Sequence, residues 1–206
     1  MRNEVVSYKN DVFIKYALGG SDGISCLLRN FIITSLTDLN PKYTNVLNGE
    51  MMPKSLDGKK VLLDILCESE LIHFIDIEMQ LSGFTKREYM RFQEYGFRMA
   101  EAQLRVGGRY EDMKKCYQIV FIDAYPSDSK SFIRKFQKRD YDNVLLKHNL
   151  IDLTFVHLPM INDIVKEKGL ENLTSFEKLC YVFKNGIDDA ILRVKERKRG
   201  GHNGKI

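Results

Sequence analysis

The stretch DILCESELIHFIDIEMQ, residues 64–80, constrains this chain more than any other. It links two apolar β-type runs, residues 60–67 and 71–81, through a few residues that include Glu68, Ser69 and Glu70. Runs of that length, so closely spaced, predict an antiparallel hairpin. A hairpin sets Asp64 beside Glu78. Alternation along a strand puts Glu78 and Gln80 on one face and Ile77 and Met79 on the other, while Asp64 shares its face with Leu62 and Leu66. A carboxylate in an apolar run is costly to bury unless it is paired or bound to a cation. Two carboxylates facing each other across a hairpin also repel. A Mg²⁺ ion, which takes oxygen ligands from one or two carboxylates, water and phosphate, relieves both problems and suits phosphodiester hydrolysis. The alternative leaves Asp64 at a strand end and Glu78 facing solvent, with no metal.

Around this hairpin the chain alternates helical and extended patterns. Residues 11–18 form a short helix stopped by Gly19 and Gly20, and Ser21 or Asp22 caps the next one. Ile24, Leu27, Leu28, Phe31, Ile32 and Leu36 recur at helical spacing. Residues 43–51 read as a short strand, and Asp57-Gly58 as a turn. The longest helix is expected over residues 85–106, closed by Gly107 and Gly108. Residues 116–124, CYQIVFIDA, form a strongly apolar strand, followed by strands near 131–137 and 150–158 and helices near 160–168 and 175–184. The order through the middle is α-β-β-β-α-β.

At 206 residues, with no internal repeat and no interior linker, the chain fits one domain over 1–188 and a basic tail over 189–206. No apolar run approaches a membrane span, and the start, MRNEVVSYKND, lacks the apolar core of a signal peptide, so a cytoplasmic location is expected. Cys26, Cys67, Cys116 and Cys180 lie too far apart for a zinc site or a disulfide framework and read as buried free thiols. The 32 basic and 28 acidic residues leave a net charge of +4, which permits nucleic-acid binding without demanding it. Their placement says more: basic residues cluster over 130–139 and again in the tail.

The hairpin resembles the restriction-endonuclease-like superfamily with the PD-(D/E)XK motif, and more narrowly its transposase-associated branch of recombination-promoting nucleases. That branch has a strand ending in LD-I, a short hairpin and then NIEMQ; here VLLDIL and FIDIEMQ stand in those places, with Glu78 fourteen positions after Asp64. The branch replaces the superfamily lysine with glutamine, and Gln80 follows it. Asp11, Phe13 and Lys15 resemble the branch's opening, Arg87 its helix start, and Gln103, Leu104, Gly107 and Tyr110 its QL-x-x-G-x-x-Y ending. Leu158 and Pro159 match an ELPKF-like segment, which this chain alters at His157 and Met160. The likeness spans roughly residues 8–185.

The resemblance implies an α/β, restriction-endonuclease-like core with extra C-terminal strands and helices. It implies an endonuclease acting on DNA in transposition or recombination, with Mg²⁺ as cofactor and Mn²⁺ as a substitute. Asp64 and Glu78 would hold the metal with a main-chain carbonyl near Met79, Gln80 would orient water, and Arg87 would contact phosphate. The competing reading is an inactive binding module that keeps only the fold. A homodimer would suit cutting of both strands.

Other residues divide between functional and ordinary roles. Arg87, Arg91, Arg98 and Arg105 fall within about 40° of one another on a helical wheel. They form a phosphate-facing stripe or a solvated face in which Glu94 and Glu101 pair with Arg98 and Arg105. Asp11 is a helix cap or a further acidic ligand. Tyr89 and Tyr95 read as core. His73, His148, His157 and His202 show no metal spacing, and none reads as a general base.

Overall fold

The computed structural model describes residues 11–51, 61–81, 83–104 and 106–186, with backbone alone for 11–13. The Asp57-Gly58 turn, Arg105, the basic tail and the Asp11 side chain lie outside the described residues. Helices α1 (Asp11–Gly19) and α2 (Gly23–Leu36) come first. Asp22 caps α2 by accepting from the N–H groups of Ile24 and Ser25, donors that a helix start leaves without an internal partner. Between α2 and the hairpin lie β1 (Thr44–Val46), β2 (Glu50–Met51) and β3 (Val61–Leu62). The hairpin is β4 (Ile65–Ser69) and β5 (Phe74–Gln80). Helix α3 (Lys86–Glu101) is followed by β6 (Cys116–Ile122), β7 (Ile133–Phe136) and β8 (Ile151–His157), then α4 (Met160–Lys168) and α5 (Ser175–Asn185).

Six strands form one mixed sheet in the order β1-β4-β5-β6-β8-β7. The hairpin and its neighbour β1 are antiparallel, β5, β6 and β8 run parallel, and β7 returns antiparallel at the edge. This is an α/β fold with a mixed sheet flanked by helices, in the expected α-β-β-β-α-β order and with the expected C-terminal additions. Ile75, Ile77, Ile119 and Phe121 project from one face onto Ile14, Ile32, Ile161 and Tyr181 of α1, α2, α4 and α5. On the other face Val120, Ile122 and Phe155 meet Phe92 of α3. Strand β6 is buried on both faces, which is why its sequence reads as a continuous apolar run.

Tertiary contacts trim the sequence expectations at several points. The strand expected over 43–51 is two short ones, β1 and β2, which join different sheets. The run over 60–67 breaks at Leu63–Asp64, because β3 turns aside to pair with β2 while β4 enters the main sheet. The second hairpin strand starts at Phe74 because the turn consumes residues as far as His73, with Ile72 at φ 64°. The long helix stops at Glu101; Gln103 instead anchors the next strand, donating to Lys114 O and accepting from Lys114 N–H. Buried Arg29 ties α2 to its neighbours through Thr44 Oγ1, Thr44 O and the carbonyls of Leu18 and Gly20. All four cysteines are free, and three are buried; Cys26 is half-buried. No helix among the described residues is long and apolar enough to cross a membrane.

Candidate active site

The β4–β5 register pairs Ile65 with Ile77, so Asp64 falls opposite Glu78. The break before β4 frees the Asp64 N–H from the ladder, and it donates to Glu78 Oε1 at 2.9 Å. In return the Met79 N–H donates to Asp64 Oδ2 at 3.2 Å. Thus the main chain of Met79 meets Asp64 through its N–H. Lys15, carried by α1, lies 3.0 Å from Asp64 Oδ1. Glu78 does not face solvent: it is 4% exposed.

A third acid completes the cluster. Asp76 is fully buried on the same face of β5 as Glu78, two residues away. Its Oδ2 accepts from Gln118 Nε2 at 3.3 Å, and its Oδ1 has no hydrogen-bond partner. Burial pushes the Asp76 carboxyl up to about 7, aided by the negative charge of Asp64 and opposed by the Gln118 hydrogen bond. Burial also raises Glu78 well above the usual carboxylate range, with the charges of Asp76 and Asp64 adding to the effect. Sequence reasoning stopped at Glu78 and Gln80, although the same alternation across DIEMQ places Asp76 in their row.

Gln80, at the end of that row, accepts from Arg91 Nη2 at 2.6 Å through Oε1. The Arg91 guanidinium lies 4.7 Å from the centroid of the Phe92 ring and lowers the carboxyls of both Asp76 and Glu78. Arg87 is exposed on the first turn of α3, which Thr85 and Glu88 close with a capping box. Arg98 is held by Glu94 at 2.8 Å, the pairing expected of a solvated face. Of the arginine stripe, Arg91 is therefore the member brought to the carboxylates. The sequence offered no signal to separate it from Arg87, because the direction of approach of α3 decides between them.

A family model for the PD-(D/E)XK nuclease family transposases matches residues 9–199. The chain belongs to this family. No curated protein and no solved structure matches it. The matched residues include the hairpin just described. The family's divalent metal is compatible with the donors present. Asp64, Asp76 and Glu78 outnumber the two cations that reach them, Lys15 and Arg91, and Asp76 Oδ1 is left without a partner. Among the described residues no three His, Cys, Asp or Glu side chains form a ready-made metal cage. Two carboxylates suffice for Mg²⁺, which keeps several waters.

The altered ELPKF-like segment lies outside this cluster. His157 is fully buried at the end of β8, with Nδ1 3.0 Å from Ala124 O and Nε2 unpartnered. Burial lowers its pKa, so the ring sits neutral in the fold. Met160 opens α4. His73 packs edge-on to Tyr117, and burial lowers its pKa too.

Proposed function

We propose that this PD-(D/E)XK family protein is a DNA endonuclease that requires a divalent metal, Mg²⁺ or Mn²⁺, and serves transposition or recombination. The observation that carries the reading is the contact of the Asp64 N–H with Glu78, returned by the Met79 N–H to Asp64, at the strand break and in a patch of excess acid. Asp64 and Glu78 would hold the ion, together with the main-chain carbonyl of Met79. Such an ion would supply a water activated for attack and positive charge to offset that on the scissile phosphate. Lys15 neutralises Asp64 in the metal-free protein.

Gln80 orients the attacking water or a phosphate oxygen by hydrogen bonding. Its amide lacks the charge a lysine would bring, and Arg91 supplies that charge from the adjacent helix while fixing the amide's rotamer. Arg91 thus serves as the phosphate-side cation, with Arg87 further out on the same helix as a contact to the flanking backbone. Asp76 and Gln118 brace Glu78 from beneath.

The test is nicking of supercoiled plasmid with Mg²⁺ or Mn²⁺ by the wild type and by Glu78→Gln. Nicking by the wild type that disappears in the variant is expected. A folded wild type that leaves the plasmid intact points instead to a binding module, and equal nicking by both proteins places the chemistry elsewhere.

A further inference from the structure

Helix α3 lies across the sheet face that carries the acids, and its two flanks differ. Arg91 and Tyr95 face the carboxylates; burial raises the Tyr95 hydroxyl pKa, and the charge of Glu78 adds to the effect. Tyr89, Gln93 and Phe97 form the opposite stripe, spaced four residues apart. That stripe and edge strand β7 enclose a cavity of about 310 Å³. This volume is at the lower end for small-molecule sites, enough for one flat heterocycle and too small for a duplex.

The walls suit such a ring. Tyr89, Phe97, Phe136 and Phe155 line the cavity, and the Phe136 and Phe155 rings pack edge to face at 5.1 Å. Phe97 is 56% exposed, so much of its ring surface is unused within the chain. Gln93, Gln118 and Gln137 line the same space, and amides pair with the donor and acceptor edges of bases. Lys138 stands at the wall, and residues 130–147 hold six basic side chains against two acidic ones. Aromatic platforms beside positive charge are how proteins hold unstacked bases with their phosphates.

The cavity is coupled by position to the acids. Asp76, Gln118, Leu153 and Phe136 are successive partners across β5, β6, β8 and β7. Gln118 both donates to Asp76 and lines the cavity. Three strand spacings of about 4.8 Å separate the ends of this row, about 14 Å in all.

We propose that the cavity between α3 and β7 is a nucleobase-binding subsite that receives one unstacked base of the DNA held at Asp64 and Glu78. This rests on DNA being the substrate. Phe97 and Phe136 supply stacking faces, the glutamines read the base edge, and Lys138 contacts the adjoining phosphate.

Photocrosslinking with 5-iodouracil tests it, since an aromatic ring stacked on that base is captured on irradiation. Glu78→Gln protein is mixed with oligonucleotides bearing 5-iodouracil at successive positions, and DNA binding is followed separately by anisotropy. The expected crosslinks fall on Tyr89, Phe97 or Phe136. Phe97→Ala should weaken DNA binding roughly tenfold or more and remove the Phe97 crosslink, and Phe97→Tyr should restore binding. Bound DNA that crosslinks only elsewhere, or not at all, overturns the subsite and leaves the nuclease reading standing. Failure of plasmid nicking would sink the nuclease reading without touching the crosslinks. A parallel arm with 5-iodo-deoxyuridine monophosphate separates a free nucleotide from a base in DNA; capture of the free nucleotide alone overturns the DNA assignment.

Discussion

Replacing Asp76 by asparagine tests the electrostatics of the buried acids directly. In the fold Asp76 keeps its proton up to about pH 7, whereas in the unfolded chain it ionises near its ordinary 3.8. Between those values the native state binds more protons than the unfolded state, so stability from this group falls as pH rises. It is fully present at pH 3–4 and lost on passing through pH 7. The gap is about three pH units at about 1.4 kcal/mol each, which caps the loss at about 4 kcal/mol. The asparagine side chain does not ionise and keeps an acceptor for Gln118. Urea unfolding of the metal-free proteins, with chelator present, should find Asp76→Asn gaining about 2–4 kcal/mol relative to the wild type between pH 4.5 and pH 8. His73 and His157 are common to both proteins, so their contributions cancel in the difference. A difference that stays flat with pH, or grows toward acid, would refute the account.

Two further substitutions probe the site and the fold. Arg91→Ala should reduce plasmid nicking on the order of a hundredfold, as expected for loss of a positioned charge, while exposed Arg87→Ala should cost less than about tenfold; the reverse ranking would remove Arg91 from the proposed phosphate side. Ile72 holds φ 64° with its side chain 54% exposed, a conformation unfavourable to a β-branched residue. Ile72→Asn should therefore stabilise by about 1 kcal/mol and raise Tm by about 2–4 °C, and an unchanged or lower melting temperature would show that the turn carries no such strain.

The sequence alone determined the hairpin, the meeting of Asp64 with Glu78 and the order of the principal elements. These follow from short-range rules: period-two alternation, a polar link too short for anything but a turn, and a capping residue such as Asp22. The resemblance to the family motif could be read for the same reason, because Asp64 and Glu78 are fourteen residues apart on the two arms of the hairpin. The alternation that placed Glu78 also held Asp76 in view. Its importance rests on burial, and burial is set by Gln118 and α3, which arrive from elsewhere in the chain. Close approach of that helix depends on Gly96, where a Cβ would stand 2.6 Å from Gln118 Oε1.

Tertiary structure likewise decided which arginine approaches Gln80. Arg87 and Arg91 are equivalent on a helical wheel, and only the docking of α3 turns Arg91 toward Gln80. It also split the run over 60–67, since β3 and β4 pair with different partners. The cavity joins residues 89–97 to 118, 136–138 and 151–155. Local propensity and periodicity act over a few residues and are written in the chain, whereas burial, shifted pKa values and cavities come from surfaces that meet only once the sheet and its helices have packed.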